Sequence, residues 1–174
     1  MDNGSAQDPA LTLQAQFPTV RFIRSEQNLG FAGGNNLGIQ ASTGDYLFFL
    51  NNDTELQDGV IEGLLQLFET VPNLGIVSPM ICFFYPKVNE NKDIIQYAGS
   101  TTVHPLSGRN HTVGLDERDH GQYSQAHPTA YIHGAAMLIP RAIVKEVGMM
   151  SELFFLYYEE LDWCAQIKRA GYQA

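Results

Sequence analysis

A chain of 174 residues with 44% hydrophobic residues can bury one well-packed core, and it holds no apolar run long enough to cross a membrane. Its formal net charge of -9 argues against a nucleic-acid partner, whose phosphates need a basic face. The two cysteines, Cys82 and Cys164, lie among apolar neighbours without CxxC or zinc spacing and read as buried free thiols, which suits a reducing, cytoplasmic compartment.

In chain order, the polar opening Met1 to Asp8 does not read as a signal peptide, so the Asn-x-Ser/Thr triplets at Asn3, Asn52 and Asn110 carry little weight as glycosylation sites. Val20 to Arg24 is a short β-prone run, followed by the glycine-rich segment Asn28 to Ala41, which reads as a loop feeding a short helix that Gly44 can end. Tyr46 to Leu50 lacks polar alternation and predicts a strand buried on both faces. Asp58 is a candidate N-cap for a helix through about Glu69, whose apolar stripe is Ile61, Leu64, Leu65 and Phe68; Pro72 closes it. Gly75 to Phe84 reads as strand material interrupted by Pro79, giving the order β, α, β, α, β.

From about residue 85 to 129 the chain turns polar, and hairpins with a long, partly mobile loop are expected. Tyr131 to Pro140 predicts a strand with a break at Gly134, Arg141 to Val147 a short helix ending at Gly148, and Phe154 to Gly171 a segment whose second half is helical. In that helix Leu161, Cys164 and Ile167 share a face, Lys168 and Arg169 occupy the last turn, and Gly171 suits the C′ position.

Three constellations could carry chemistry. The apolar run from Tyr46 stops in Asn51, Asn52 and Asp53, which delivers a carboxylate to the carboxyl end of a buried strand, where open α/β sheets bind ligands. The same residues also favour a plain turn, so both readings stand at this point. Glu159, Glu160 and Asp162 sit at a helix start behind the aromatic run Phe154, Phe155, Tyr157 and Tyr158; they could simply complement the helix dipole, or one could act as a general base. Adjacent helical residues point about 100° apart, so Glu159 and Glu160 cannot both aim at one substrate hydroxyl. The glycine segment lacks the ending of a phosphate loop and the spacing of the dinucleotide fingerprint, which leaves close backbone approach as its purpose. None of the five histidines has zinc-site spacing, and His133, beside Gly134, is the one nearest a predicted strand.

Taken together and in order, these segments resemble the family 2 glycosyltransferases, particularly the rhamnosyltransferase-like branch acting on bacterial surface polysaccharides of the cell envelope. Asp2 to Asp8 is similar to the family's Asp-Asn-x-Ser-x-Asp segment, Asn28 to Asn36 to its glycine-rich donor segment, Leu50 to Thr54 to its metal-binding DxD variant, and Phe154 to Cys164 to the segment holding the base. The resemblance spans almost the whole chain. It implies an α/β GT-A fold, a Rossmann-like mixed sheet flanked by helices, forming a single domain over residues 1–174 with a polar insertion at 85–129.

The resemblance further implies a nucleotide-diphospho-sugar donor, a saccharide or lipid-linked acceptor, Mg²⁺ or Mn²⁺, and an inverting transfer. Asp2 would contact the base; Asn28, Gly30, Gly33, Gly34, Asn36, Asn51 and Asn52 would line the donor; Asp53 would hold the metal; His133 and Gly134 would lie near the acceptor. Glu160 takes the position of the base, longer by one methylene than the family's usual Asp, with Glu159 and Asp162 as the other candidates. Asn51 stands where the stricter motif has Asp. The family's first strand, which precedes the Asp-Asn-x-Ser segment, is not seen, so a partial domain is expected. The Val20 and Tyr46 segments should then pair directly or leave edges that a second copy covers. The parent enzyme would work at the inner face of the membrane. Competing readings are a glycosyltransferase-like fragment impaired in donor binding, a nucleotidyltransferase, or a carbohydrate-binding module.

Overall fold

The structure, a computed structural model, describes residues 1–84 and 93–174. Its elements follow one another as β1 (Asp2–Asn3), α1 (Ala10–Gln16), β2 (Arg24–Ser25), α2 (Gly30–Ala41), β3 (Tyr46–Leu50) and α3 (Val60–Thr70), then β4 (Ile81–Cys82), β5 (Ile95–Tyr97), β6 (Ala136–Pro140), α4 (Arg141–Val147) and α5 (Glu159–Arg169).

The apolar run at Tyr46 does form a strand, and its antiparallel partner is β6, in the register Tyr46↔Pro140 through Leu50↔Ala136. Side chains alternate across a strand, so Leu47 and Phe49 share one face with Ile139 and Met137, while Phe48 and Leu138 share the other. The first face joins the main core with Ile39, Ile143, Val144, Trp163 and Ile167, from α2, α4 and α5. On the second face Phe48 and Leu138 meet Leu64, Leu65, Leu67 and Phe68 of α3. Both faces of β3 are therefore covered, as its unbroken apolar sequence requires, although its ends at Tyr46 and Leu50 remain exposed. Met137 and Ile139 are wholly buried, and each such side chain contributes about 1.5–3 kcal/mol.

Several boundaries differ from the sequence reading. Strand pairing near Val20 is confined to Arg24–Ser25, which lies parallel to Asp2–Asn3 and does not pair with β3. The glycine segment is helical from Gly30 onward, because the tertiary contacts described below override its poor intrinsic propensity. Asp58 does not cap α3; Gly59, with φ +80°, holds that position, and Ile61 of the expected stripe is exposed. The strand expected over Tyr131–Pro140 starts only at Ala136, since residues 131–135 turn to meet other elements. Of the expected 85–129 region, β5 pairs antiparallel with β4 from the Gly75–Phe84 segment, and Ile94↔Arg118 and Ser100↔Thr112 are further bridges; residues 85–92 lie outside the described part.

α4 and α5 match their sequence signals. Gly148 follows α4, and Gly171, with φ +95°, follows the C-cap Ala170 of α5. Trp163 fixes α5 in the core: its Nε1 donates to the Gly148 carbonyl at 2.9 Å, and its ring meets Phe49 edge-on at 5.7 Å. Both cysteines are free thiols, Cys164 buried and Cys82 half-buried. No helix among the described residues is long and apolar enough to cross a membrane.

Candidate active site

At the carboxyl end of β3 the chain leaves the sheet. The Asn51 amide donates to the Ala135 carbonyl at 2.9 Å, and Thr54 Oγ1 donates to the Asn51 carbonyl at 2.6 Å, which closes a turn over Asn51, Asn52 and Asp53. All three side chains are exposed. Both the turn and the metal reading are thus compatible with the local geometry: the turn places the Asp53 carboxylate in solvent at the strand end. No cluster of three His, Cys, Asp or Glu side chains that could hold a metal exists among the described residues. Asp53 alone would supply one hard oxygen, which fits a Mg²⁺-like cation that takes its other ligands from phosphates and water.

The segment His133–Ala135 lies directly beside this turn. The Ala135 amide donates to His133 Nδ1 at 3.1 Å, which assigns the ring proton to Nε2 and leaves that atom as a donor. Burial pushes the His133 imidazole below its ordinary pKa, so the ring is neutral at pH 7. Its ring stands 5.4 Å from that of Tyr97, whose hydroxyl donates to the Tyr131 carbonyl at 2.6 Å. Gly134 faces the ring of Phe31, and a Cβ there would sit 3.2 Å from it.

Phe31 belongs to the first turn of α2, and Asn3 organises that turn. Asn3 Nδ2 donates to the Gly30 carbonyl at 2.8 Å and to Asn28 Oδ1 at 3.0 Å, while its Oδ1 accepts from the Leu29 amide at 3.0 Å. Asn28 Oδ1 also accepts from the Gly30 amide at 2.9 Å. Gly34 lets α2 lie against β1, since a Cβ there would be 2.9 Å from Asn3 Nδ2. Asp2 accepts from the Ser5 amide at 3.0 Å and faces Arg24 Nε at 3.5 Å; Ser5 first, then Arg24, hold its carboxyl below the ordinary value.

The acidic cluster opens α5, with Glu159, Glu160 and Asp162 in its first turn. Glu159 is 1% exposed, and its Oε1 has no hydrogen-bond partner. Glu160 is half-buried, and burial first, then the Glu159 carboxylate, raise its pKa. Asp162 Oδ2 accepts from Gln166 Nε2 at 2.6 Å, so this carboxylate is already engaged.

The fold thus links the Asn51–Asp53 turn to His133 and Gly134, and these to Phe31 and Tyr97. Asn36 stands apart: it is 2% exposed, and both ends of its amide bond to Met150 and Glu152. Gly33 packs on Leu29. The sequence reading did not single out Asn3, Tyr97 or Glu152. Asn3 carried the one usable signal, a short polar side chain beside a candidate donor residue; contacts spanning more than a hundred residues leave no local trace.

Comparison with known structures places this geometry in a class. GalNAc-T7, solved with UDP, GalNAc and Mn²⁺, superposes with a TM-score of 0.69 at 14% sequence identity, over 98% of this chain and 34% of that one. The shared fold is that of the GT-A glycosyltransferases. Residues 1–148 match the family Glycosyl transferase family 2, and the chain belongs to that family. A low-salt glycan biosynthesis hexosyltransferase of Haloferax volcanii is 28% identical over 97% of this chain and 52% of its own length. An N-acetylglucosaminyl-diphospho-decaprenol L-rhamnosyltransferase of Mycobacterium tuberculosis is 24% identical over 98% of this chain and 60% of its own length. The chain therefore spans between half and two thirds of the length of these two relatives.

Proposed function

We propose that this chain forms the donor-binding and catalytic part of a glycosyltransferase that moves a sugar from a nucleoside-diphosphate donor to a hydroxyl of a saccharide or lipid-linked acceptor, with inversion. The observation that carries the reading is the junction at His133–Ala135, where the Asp53 turn, the first turn of α2 and the Tyr97 ring adjoin. The names of the relatives support the same class, one a hexosyltransferase of glycan biosynthesis and one acting on a decaprenol-linked diphosphate. The fold is also shared with an enzyme solved with UDP and Mn²⁺.

On this reading Asp2 meets the base, and Asn28, Gly30, Asn51 and Asn52 line the donor. Asp53 would hold Mg²⁺ or Mn²⁺, which supplies positive charge against the departing diphosphate. Glu160 accepts the proton of the acceptor hydroxyl as that oxygen bonds the anomeric carbon, and the bond from this carbon to the β-phosphate oxygen breaks on the opposite face. A carboxyl raised by burial is a stronger base once ionised than an ordinary glutamate, which suits this role. His133, neutral with Nε2–H free to donate, orients the acceptor beside Gly134. The whole protein would work on the cytoplasmic side of the membrane. Glu160→Gln tests the assignment: nucleoside-diphosphate affinity stays within about twofold while transfer falls at least about 100-fold. Near-native transfer would move the base to Glu159 or Asp162.

A further inference from the structure

The donor role that resemblance gives to Asn36 conflicts with where its amide goes. Nδ2 donates to the Met150 carbonyl at 2.9 Å and to Glu152 Oε1 at 2.8 Å, and Oδ1 accepts from the Met150 amide at 3.1 Å. In the first turn of α2, a second tie reaches the same segment, as the Phe31 amide donates to the Phe155 carbonyl at 3.1 Å. Gly30 permits that approach: its φ is +73°, and a Cβ would lie 2.3 Å from the Phe155 oxygen. A third tie closes the base of the segment, from Trp163 to Gly148.

Little else holds residues 151–158. Leu153 is 93% exposed, and Phe155, Leu156, Tyr157 and Tyr158 are all more than half exposed. Beyond Met150, which is buried in the main core, apolar burial therefore does not fix the path, and the hydrogen bonds to α2 do. The chain then passes through Tyr157 and Tyr158 at φ +72° and +74°, a left-handed turn that bulky residues avoid unless their surroundings impose it. Glu159 and Glu160 follow at once.

We propose that Asn36 and Gly30 are positioning residues: they dock the segment Met150–Tyr158 on α2 and so fix the direction in which α5 presents Glu159 and Glu160. The donor side, with Asn28 at the entry of α2, and the segment leading into the base-bearing α5 are thereby both tied to α2. The catalytic part of this proposal rests on the transferase reading; the docking itself does not. A misplacement of about 1 Å at a reacting group can cost about 100-fold in rate, so a loosened segment affects turnover before donor binding.

The test compares the native chain with Asn36→Ala by amide hydrogen exchange, nucleoside-diphosphate titration with Mn²⁺, and transfer kinetics. The proposal predicts at least about tenfold faster exchange across Met150–Asp162 with β3 unchanged, affinity within about twofold, and kcat lowered at least about tenfold at little altered donor KM. Unchanged exchange at Glu159–Asp162 would overturn it. So would a loss of nucleotide affinity that matches the loss of turnover, which would return Asn36 to the donor site. If Asn36→Ala unfolds, Glu152→Ala removes one of the three bonds and must show the same pattern at smaller size, with Glu152→Gln, which keeps the acceptor oxygen, restoring it. Absence of transfer in the native chain would count against the transferase reading, and exchange would then decide the docking alone.

Discussion

Burial and the adjacent Glu159 carboxylate keep the proton on Glu160 to a higher pH in the folded chain than in the unfolded one. Two consequences follow, with opposite signs. Because the folded state binds the extra proton, this residue favours folding most at low pH, and its contribution falls as pH rises from the ordinary glutamate value of about 4.3 through the raised folded value. Glu160→Gln therefore raises Tm at pH 7 relative to the native chain, measured by calorimetry, and removes that part of the pH dependence. Catalysis runs the other way, since the base must be ionised: kcat/KM climbs with pH through a value above the ordinary glutamate range, and an acidic limb near 4.3 would contradict the role. At this scale the sequence located the strand end before Asn51 and the acidic start of the helix at Glu159. For Asn36 it offered only the donor role implied by resemblance, because its partners lie more than a hundred residues away, and it did not single out Asn3, whose importance comes from its bonds to Asn28, Leu29 and Gly30 at the start of α2.

Among the elements, β3 was legible from its unbroken apolar run, and α4 and α5 from apolar spacing that agrees with the glycines at their ends, Gly148 and Gly171. α2 was not, because its glycines suggest a loop until the close approach to Asn3 and Phe155 is known. The most exposed elemental cost is the pair Tyr157 and Tyr158, each in a conformation that disfavours L-residues by about 1–2 kcal/mol. Tyr158→Gly relieves that strain against a smaller entropic cost, so urea unfolding should show a gain of about 0.5–1 kcal/mol at unchanged m, with no gain for Tyr158→Ala. Equal stability of all three chains would place the strain elsewhere. Trp163→Phe keeps the ring against Phe49 but strands the Gly148 carbonyl, at a cost of about 1–3 kcal/mol in the same experiment.

For the molecule as a whole, the three-layer arrangement of α3, the β3–β6 pair, and α2 with α4 and α5 was implied by an apolar strand flanked by helices. The strand partners were not, since register between distant segments is set by packing that no local pattern encodes. Among the described residues β3 pairs with β6 alone, so its other edge is open to a second chain, and light scattering should give a mass above that of one copy; the mass of a single copy would contradict this. Under the proposed function, the end of β3 presents a metal-dependent nucleotide site. Calorimetric titration with uridine, thymidine and guanosine diphosphates, with and without Mn²⁺, tests it most directly on the native chain and on Asp53→Ala. The account predicts that at least one of the three binds the native chain only when Mn²⁺ is present, and that Asp53→Ala abolishes this binding; no binding by the native chain, or equal affinity in the variant, would contradict it.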